Sequence, residues 1–135
     1  MKAIFAKMAA ADLIVFATPV YVFAMSALLK MFLERLYSTS DVFDLKLTQS
    51  GLFFHHVDSA ICSKPFALLV CCDNMERETP KNVISYFRTY GKFMDAPQVG
   101  LQGKDGRTSA ADDEIQRRRR LIGMFRRYRH MHNNR

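Results

Sequence analysis

The chain has 135 residues, which allows one domain at most. Apolar residues make up 49% of it, and this share excludes a globally disordered chain. The net charge of +7 is unevenly placed, because residues 104–135 hold ten basic and four acidic residues. We therefore divide the chain into a partial domain of residues 1–103 and a basic C-terminal helix and tail of residues 104–135.

The cysteine pattern indicates reduced thiols. Cys62, Cys71 and Cys72 are odd in number and include an adjacent pair, which is a poor disulfide framework. Their spacing also lacks the paired pattern of a zinc or iron–sulfur site. We expect a cytoplasmic protein in which at least one of the adjacent cysteines is a small buried hydrophobe.

An uncharged stretch of residues 13–29 has about the minimum length of a membrane span. The N-terminus also has the positive start of a signal peptide. Against both interpretations, Lys7 and Asp12 interrupt the apolar region, Pro19 stands inside it, and the periodicity changes at that proline. We favour a buried strand followed by a helix, with no membrane insertion.

The first elements in chain order are a helix, a strand and a second helix. Residues 2–11 are rich in alanine and methionine, which favour a helix. Residues 13–18 form a short unbroken apolar run that is typical of a strand covered on both faces. Residues 26–37 have helical spacing, and Ser26 is a suitable N-cap.

The second half continues the alternation. Residues 38–63 are rich in Asp, Ser, Thr and Gly, so we predict an irregular excursion there. Residues 66–72 resemble the first buried strand, and residues 97–102 predict a weaker third strand. A helix lies between these two strands, with Thr79 as its cap and Gly91 at its end.

A last helix begins near Ser109. The alternation of helices and strands predicts an α/β fold, a three-stranded parallel sheet with helices on both faces. Ligands of such folds bind at the carboxyl ends of the strands. The loops of residues 18–26 and 73–79 are therefore the candidate site.

Two segments carry a family resemblance. Residues 11–37, "ADLIVFATPVYVFAMSALLKMFLERLY", resemble the third strand and following helix of flavodoxin-like NAD(P)H-dependent FMN reductases. Residues 63–79, "SKPFALLVCCDNMERET", resemble the next strand and loop of that family. The resemblance implies a flavodoxin-like fold, FMN as cofactor, NAD(P)H as reductant, and hydride transfer from nicotinamide to flavin.

The resemblance also implies which residues bind the flavin. In this family the first loop wraps the flavin ring and ribityl chain, and an aromatic such as Tyr21 or Phe23 covers the ring. We predict no catalytic acid or base, because the cofactor carries the chemistry. The predicted cofactor-binding residues are Thr18, Pro19, Val20, Tyr21 and Met25 in the first loop, and Asp73, Asn74 and Glu76 in the second.

The chain departs from the family at its start. The family opens with a strand and a phosphate-binding loop at a helix N-terminus, whereas this chain has no glycine before Gly51. We expect an N-terminally truncated or degenerate member, an incomplete gene product, or a chain whose open edge at residues 13–18 pairs with a second copy or a partner. The alternative function is a non-catalytic remnant or interaction protein, and we expect weak FMN binding by the isolated chain.

Two polar features remain open. The adjacent His55 and His56 lack the spacing of a metal site. The arginine run of residues 117–120 is typical of a solvated helix face, and phosphates, nucleic acid, anionic membrane or the 2′-phosphate of NADPH are its other possible contacts. No nucleic-acid motif accompanies the run, so we do not predict nucleic-acid binding.

Overall fold

The fold is described from a computed structural model of the chain, which covers residues 1–73, 76 and 78–104. Four helices and six strands lie in these ranges. The helices are α1 (Lys2–Ala10), α2 (Ala27–Leu36), α3 (Ser59–Cys62) and α4 (Lys81–Phe93). The strands are β1 (Ile14–Tyr21), β2 (Ala24–Met25), β3 (Asp41–Leu47), β4 (Phe53–His56), β5 (Phe66–Cys71) and β6 (Gln98–Lys104). The predicted basic C-terminal helix and Asn74 lie outside the described residues.

The main sheet confirms the predicted α/β fold. Its strand order is β2-β1-β5-β6, with β1, β5 and β6 parallel and the short β2 antiparallel to β1. These three parallel strands are the ones predicted from the apolar runs. The prediction for residues 38–63 was wrong, because β3 and β4 form a separate antiparallel pair there. Residues 44–47 of β3 alternate polar and apolar residues, a strand signal that the turn-forming residues around it obscured.

One apolar core holds the helices on the sheet. Phe16 of β1, Phe66 of β5 and Phe87 of α4 lie with their ring centroids 5.0–5.9 Å apart. Tyr90 joins this cluster, and its hydroxyl donates to the backbone oxygen of Cys62 at 3.2 Å. Burial raises the pKa of the Tyr90 hydroxyl. These ring pairs, edge-to-face for Tyr90 and tilted for Phe87, fix the position of α4 on the sheet.

The ends of α4 differ from the prediction. The N-cap position belongs to Pro80, and α4 continues through Gly91 to Phe93. Gly91 does not end the helix, because its role is a close approach: a Cβ atom there would lie 2.8 Å from the backbone oxygen of Ala96. The close contact between Gly91 of α4 and Ala96 thus allows the chain to turn back towards β6.

The uncharged stretch of residues 13–29 does not form a membrane span. It contains β1, a tight turn, β2 and the first residues of α2. Among the helices of the described ranges, none has the length and apolar character needed to cross a membrane.

Candidate functional site

The candidate site lies where β1 and β5 end. The two strands are parallel, and Pro19 stands opposite Cys71 in their register. The loops that follow both strands therefore start at the same edge of the sheet, the usual place for a ligand in this architecture. Pro19 does not end β1 as expected, since the strand continues to Tyr21.

Proline is tolerated inside β1 because of the direction of its backbone nitrogen. The amide of Ile14 donates to the backbone oxygen of Pro65 at 3.0 Å, so the amides of even-numbered residues face β5. By alternation, the nitrogen of Pro19 faces the other edge of the strand. The missing N–H of Pro19 therefore removes no hydrogen bond between β1 and β5.

A strained hairpin forms the tip of the first loop. Tyr21 pairs with Ala24, and the two residues between them, Val22 and Phe23, both have positive φ angles, 47° and 64°. Such a turn normally takes Asn-Gly, and a β-branched residue in this region is an outlier. The side chains of Tyr21, Val22 and Phe23 are 64%, 91% and 60% exposed. The tip thus presents two aromatic rings to solvent on a strained backbone, a combination that is typical of binding sites.

Thr18 braces this hairpin from below. Its side chain is buried, and its Oγ1 atom accepts a hydrogen bond from the amide of Ser26 at 3.0 Å. The same hydroxyl donates to the backbone oxygen of Pro19 at 2.8 Å. The Oγ atom of Ser26 in turn accepts from the amide of Leu29 at 3.4 Å and caps α2, as predicted. Thr18 therefore fixes the return of the hairpin to α2.

The predicted first-loop residues lie on two faces of β1. Thr18 and Val20 point to the core side, and Met25, paired with Val20, lies on the same side. Pro19 and Tyr21 point the other way and are exposed. The structure therefore does not bring all five side chains together, and only the second group is free to touch a ligand.

The second loop faces the hairpin tip across a cleft. Asp73 and Glu76 are exposed, whereas Asn74 lies outside the described residues. The Nζ atom of Lys81 lies 2.5 Å from Oε1 of Glu78 at the start of α4. The cleft has a volume of about 550 Å³, within the range of small-molecule sites. Its lining residues are Phe23, Glu76, Glu78, Thr79, Lys81 and Asn82.

Two lining residues, Lys81 and Asn82, were not foreseen from the sequence. Both belong to the first turn of α4, just beyond the predicted loop of residues 73–79. The first turn of a helix that follows a strand-end loop faces the same edge as that loop, and this rule would have included them. The cleft holds two carboxylates and one ammonium group, so it suits an uncharged ring better than a phosphate.

The adjacent histidines lie in β4, away from this cleft. The Nδ1 atom of His56 lies 3.0 Å from Oδ2 of Asp44, and the His55 ring packs against Tyr37 with centroids 6.4 Å apart. Across the described ranges, no group of three or more potential ligands is arranged to hold a metal ion.

The fold and the position of this cleft define a flavodoxin-like α/β protein with its candidate ligand site at the carboxyl ends of β1 and β5. A family model of the NADPH-dependent FMN reductases matches residues 1–70, which include β1, the strained hairpin and α2. The chain therefore belongs to the NADPH-dependent FMN reductase family. No curated protein matches the chain in a sequence comparison.

Solved structures agree with this fold. The Trp repressor binding protein from Bacillus subtilis is 19% identical with a TM-score of 0.62, and the match covers 91% of this chain and 67% of that one. A thermophilic tryptophan halogenase, described as from Streptomycin violaceusniger, is 16% identical with a TM-score of 0.66, and the match covers 90% and 72%. At these identities the likeness concerns the fold alone.

Proposed function

We propose that the chain is a flavin-dependent oxidoreductase of the FMN reductase type, which transfers hydride from NAD(P)H to flavin. The observation that carries the proposal is the hairpin tip, where Tyr21 and Phe23 stand exposed at the strand-end edge, inside the segment that matches the family model. We include in this proposal a cytoplasmic location, which agrees with the reduced thiols of Cys62 and Cys71.

The described residues fit the ring of FMN better than its phosphate. Phe23 offers an apolar face to the cleft, and Pro19 and Tyr21 extend that surface along the exposed side of β1. Bound flavin would supply the site that accepts hydride from nicotinamide. Asp73 and Glu76 would contact its polar edge or the ribityl chain by hydrogen bonds. Thr18, Val20 and Met25 would act indirectly, by fixing the hairpin.

The charges of the cleft favour the ring end of FMN over its phosphate end. Glu76 and Glu78 repel a phosphate, and Lys81 is already paired with Glu78. Charge-assisted contacts to a phosphate are worth roughly 1.5–3 kcal/mol each. Without two of them, we expect affinity for FMN on the order of a hundredfold to many thousandfold below that of a complete site, at about 1.4 kcal/mol per tenfold.

A comparison of FMN with riboflavin tests this proposal. Riboflavin has the ring and ribityl chain but no phosphate. We therefore expect the protein to quench the fluorescence of FMN and of riboflavin with dissociation constants within about threefold of each other. Phe23→Ser should weaken both, whereas Leu28→Gln, an exposed apolar residue on α2, should weaken neither. Tight FMN binding with weak riboflavin binding would show that this chain holds the phosphate. If neither flavin quenches at millimolar concentration, the flavin site itself is refuted.

The second candidate is a non-catalytic interaction protein, and the edge of β1 favours it. β2 covers only Val20 and Tyr21. In the part of the chain that the structure describes, residues 14–19 of β1 therefore have no strand on that side. Unpaired strand edges recruit further strands. We propose that this edge pairs with a second copy or a partner chain.

Val15→Pro tests edge pairing without disturbing the sheet. The amide of Val15 faces the open edge, so proline there removes no hydrogen bond to β5. We expect light scattering at micromolar concentration to show a dimer or larger species that this variant weakens. Val15→Thr, which keeps the amide, is the matched control. A stable monomer of the unmodified chain would refute edge pairing.

A further inference from the structure

The β3–β4 hairpin has two different faces. Lys46 pairs with Phe54 in the register, and this face is turned to the protein: the Phe54 ring lies 5.0 Å from that of Phe93. The Nζ atom of Lys46 lies 3.1 Å from Oδ2 of Asp95 on the same side. The hairpin is therefore held against the end of α4 by this face.

The opposite face is open to solvent at three apolar residues, while its fourth residue, His55, is half-buried against Tyr37. Leu45 pairs with His55 and Leu47 pairs with Phe53, so these four residues share the outer face. Phe53 is 74% exposed, and both leucines are more than half exposed. A strand pair with one face on the core normally places polar residues outside. Here the apolar residues occupy both sides of the hairpin.

The exposed apolar surface approaches the size of an interface. Phe43, at 96% exposure, extends it beyond the paired residues. With aromatic side chains of about 150–250 Å² each, the four residues expose roughly 550 Å², against about 800 Å² per partner in a standard interface. We call this surface the hairpin patch; it consists of Phe43, Leu45, Leu47 and Phe53.

We infer that the hairpin patch is an interface at which a second copy of this chain packs face to face. A two-fold contact places the same surface on both sides, so any charge on it would face its own copy. The outer face carries no Asp, Glu, Lys or Arg, because Asp44 and Lys46 have the opposite parity along β3. Two such faces stack without like-charge repulsion, in the manner of a small β-sandwich.

Two further observations favour a second copy over other occupants. A two-stranded hairpin is marginal alone, and stacking on another hairpin supplies the missing layer. An anionic membrane would require a basic surround, whereas β3 carries Asp41 and Asp44 against the single basic residue Lys46. The charge of β3 therefore argues against a lipid surface.

The first test is the oligomeric state of the full chain. We expect sedimentation velocity between 1 and 100 μM to show a dimer, a range chosen for the affinity of roughly micromolar that a small interface gives. Phe53→Ser should raise the dissociation constant at least about thirtyfold, the effect of losing a 2 kcal/mol anchor. Leu28→Gln, away from the patch, should leave association unchanged, and Val15→Pro, which removes only pairing at the β1 edge, should leave the dimer through the patch intact. A monomer at all concentrations, or a dimer that only Val15→Pro weakens, would overturn the inference.

A charge-swap experiment tests the two-fold contact itself. Leu45→Lys and Leu45→Glu each place like charges across the contact, so each variant alone should be monomeric when Val15→Pro is present to remove edge pairing. Mixed in equal amounts, they should form a heterodimer, which a merely misfolded variant would not do. Two monomeric variants that fail to combine would refute face-to-face packing of identical patches.

Discussion

The strained turn at the tip of the candidate site predicts a stabilising substitution. Val22 has φ 47° and is 91% exposed, so its side chain makes almost no packing contribution. The left-handed region costs an ordinary L-residue roughly 1–2 kcal/mol, and asparagine is the residue that a turn of this type prefers at its first position. We therefore expect Val22→Asn to raise the free energy of unfolding by about 1 kcal/mol.

Urea unfolding followed by circular dichroism measures this gain, and thermal unfolding should show an increase of roughly 4 °C. Leu28→Asn is the matched control, because it also replaces an exposed apolar residue but in a helix without backbone strain. It should be neutral or destabilising, since asparagine is a poorer helix former than leucine. If Val22→Asn gives no gain, the turn is not strained as described.

The neighbouring residue connects this strain to binding. Phe23→Gly relieves the same kind of backbone cost, at φ 64°, but removes the ring that lines the cleft. We expect a more stable chain whose riboflavin affinity falls roughly tenfold, the value of one lost ring contact of about 1.4 kcal/mol. Unchanged affinity would show that the hairpin tip does not cover the flavin.

Three further predictions concern buried groups. Thr18→Val leaves the amide of the α2 cap without its acceptor and should lower the free energy of unfolding by about 1–3 kcal/mol in urea, whereas Thr18→Ser should retain most of it. Gly91→Ala should lower the melting temperature, because its Cβ atom would lie 2.8 Å from the Ala96 oxygen. That contact costs about 1–3 kcal/mol, which outweighs the roughly 1 kcal/mol that alanine gains over glycine in a helix. A higher melting temperature would contradict the close approach. A thiol reagent followed by mass spectrometry should label the exposed Cys71 well before Cys62, since burial raises the pKa of the Cys62 thiol. Because burial raises the pKa of Cys62, the folded state favours the protonated thiol. The contribution of this thiol to stability is therefore complete below its ordinary pKa of 9.0 and is lost as the pH rises above that value.

The parallel strands were predictable because burial on both sides leaves a simple signal. Residues 13–18 and 66–72 are unbroken apolar runs, and no helix of the required length fits between their flanking polar residues and prolines. The residue that continues β1 past its expected end is Pro19, and a sequence pattern does not show which way its nitrogen points. The direction follows from the pairing with β5, which is a tertiary fact.

The two hairpins were missed for different reasons. β1 and β2 are joined by Val22 and Phe23, which carry none of the Asn-Gly chemistry of such turns, so the turn is imposed by the surrounding structure. In the β3–β4 pair only residues 44–47 of β3 alternate, β4 does not, and most of the apolar side chains face solvent. Apolar residues on both faces of a strand pair do not give the alternating pattern by which a strand with one buried face is recognised.

The alternation of side chains along β1 explains why the sequence could locate the candidate site but could not show which of its residues are exposed to a ligand. The resemblance placed Thr18, Pro19, Val20 and Tyr21 in one loop, and a loop would allow all four to turn towards a ligand. Because the segment is a strand, successive side chains alternate, and only Pro19 and Tyr21 are exposed. Substitutions should therefore divide by parity: changes at Thr18 or Val20 alter stability and flavin affinity together, while changes at Tyr21 alter affinity with little effect on unfolding. Parallel measurement of both quantities for Thr18→Val and Tyr21→Ser would show this division, and a Tyr21 variant that loses stability without losing affinity would contradict it.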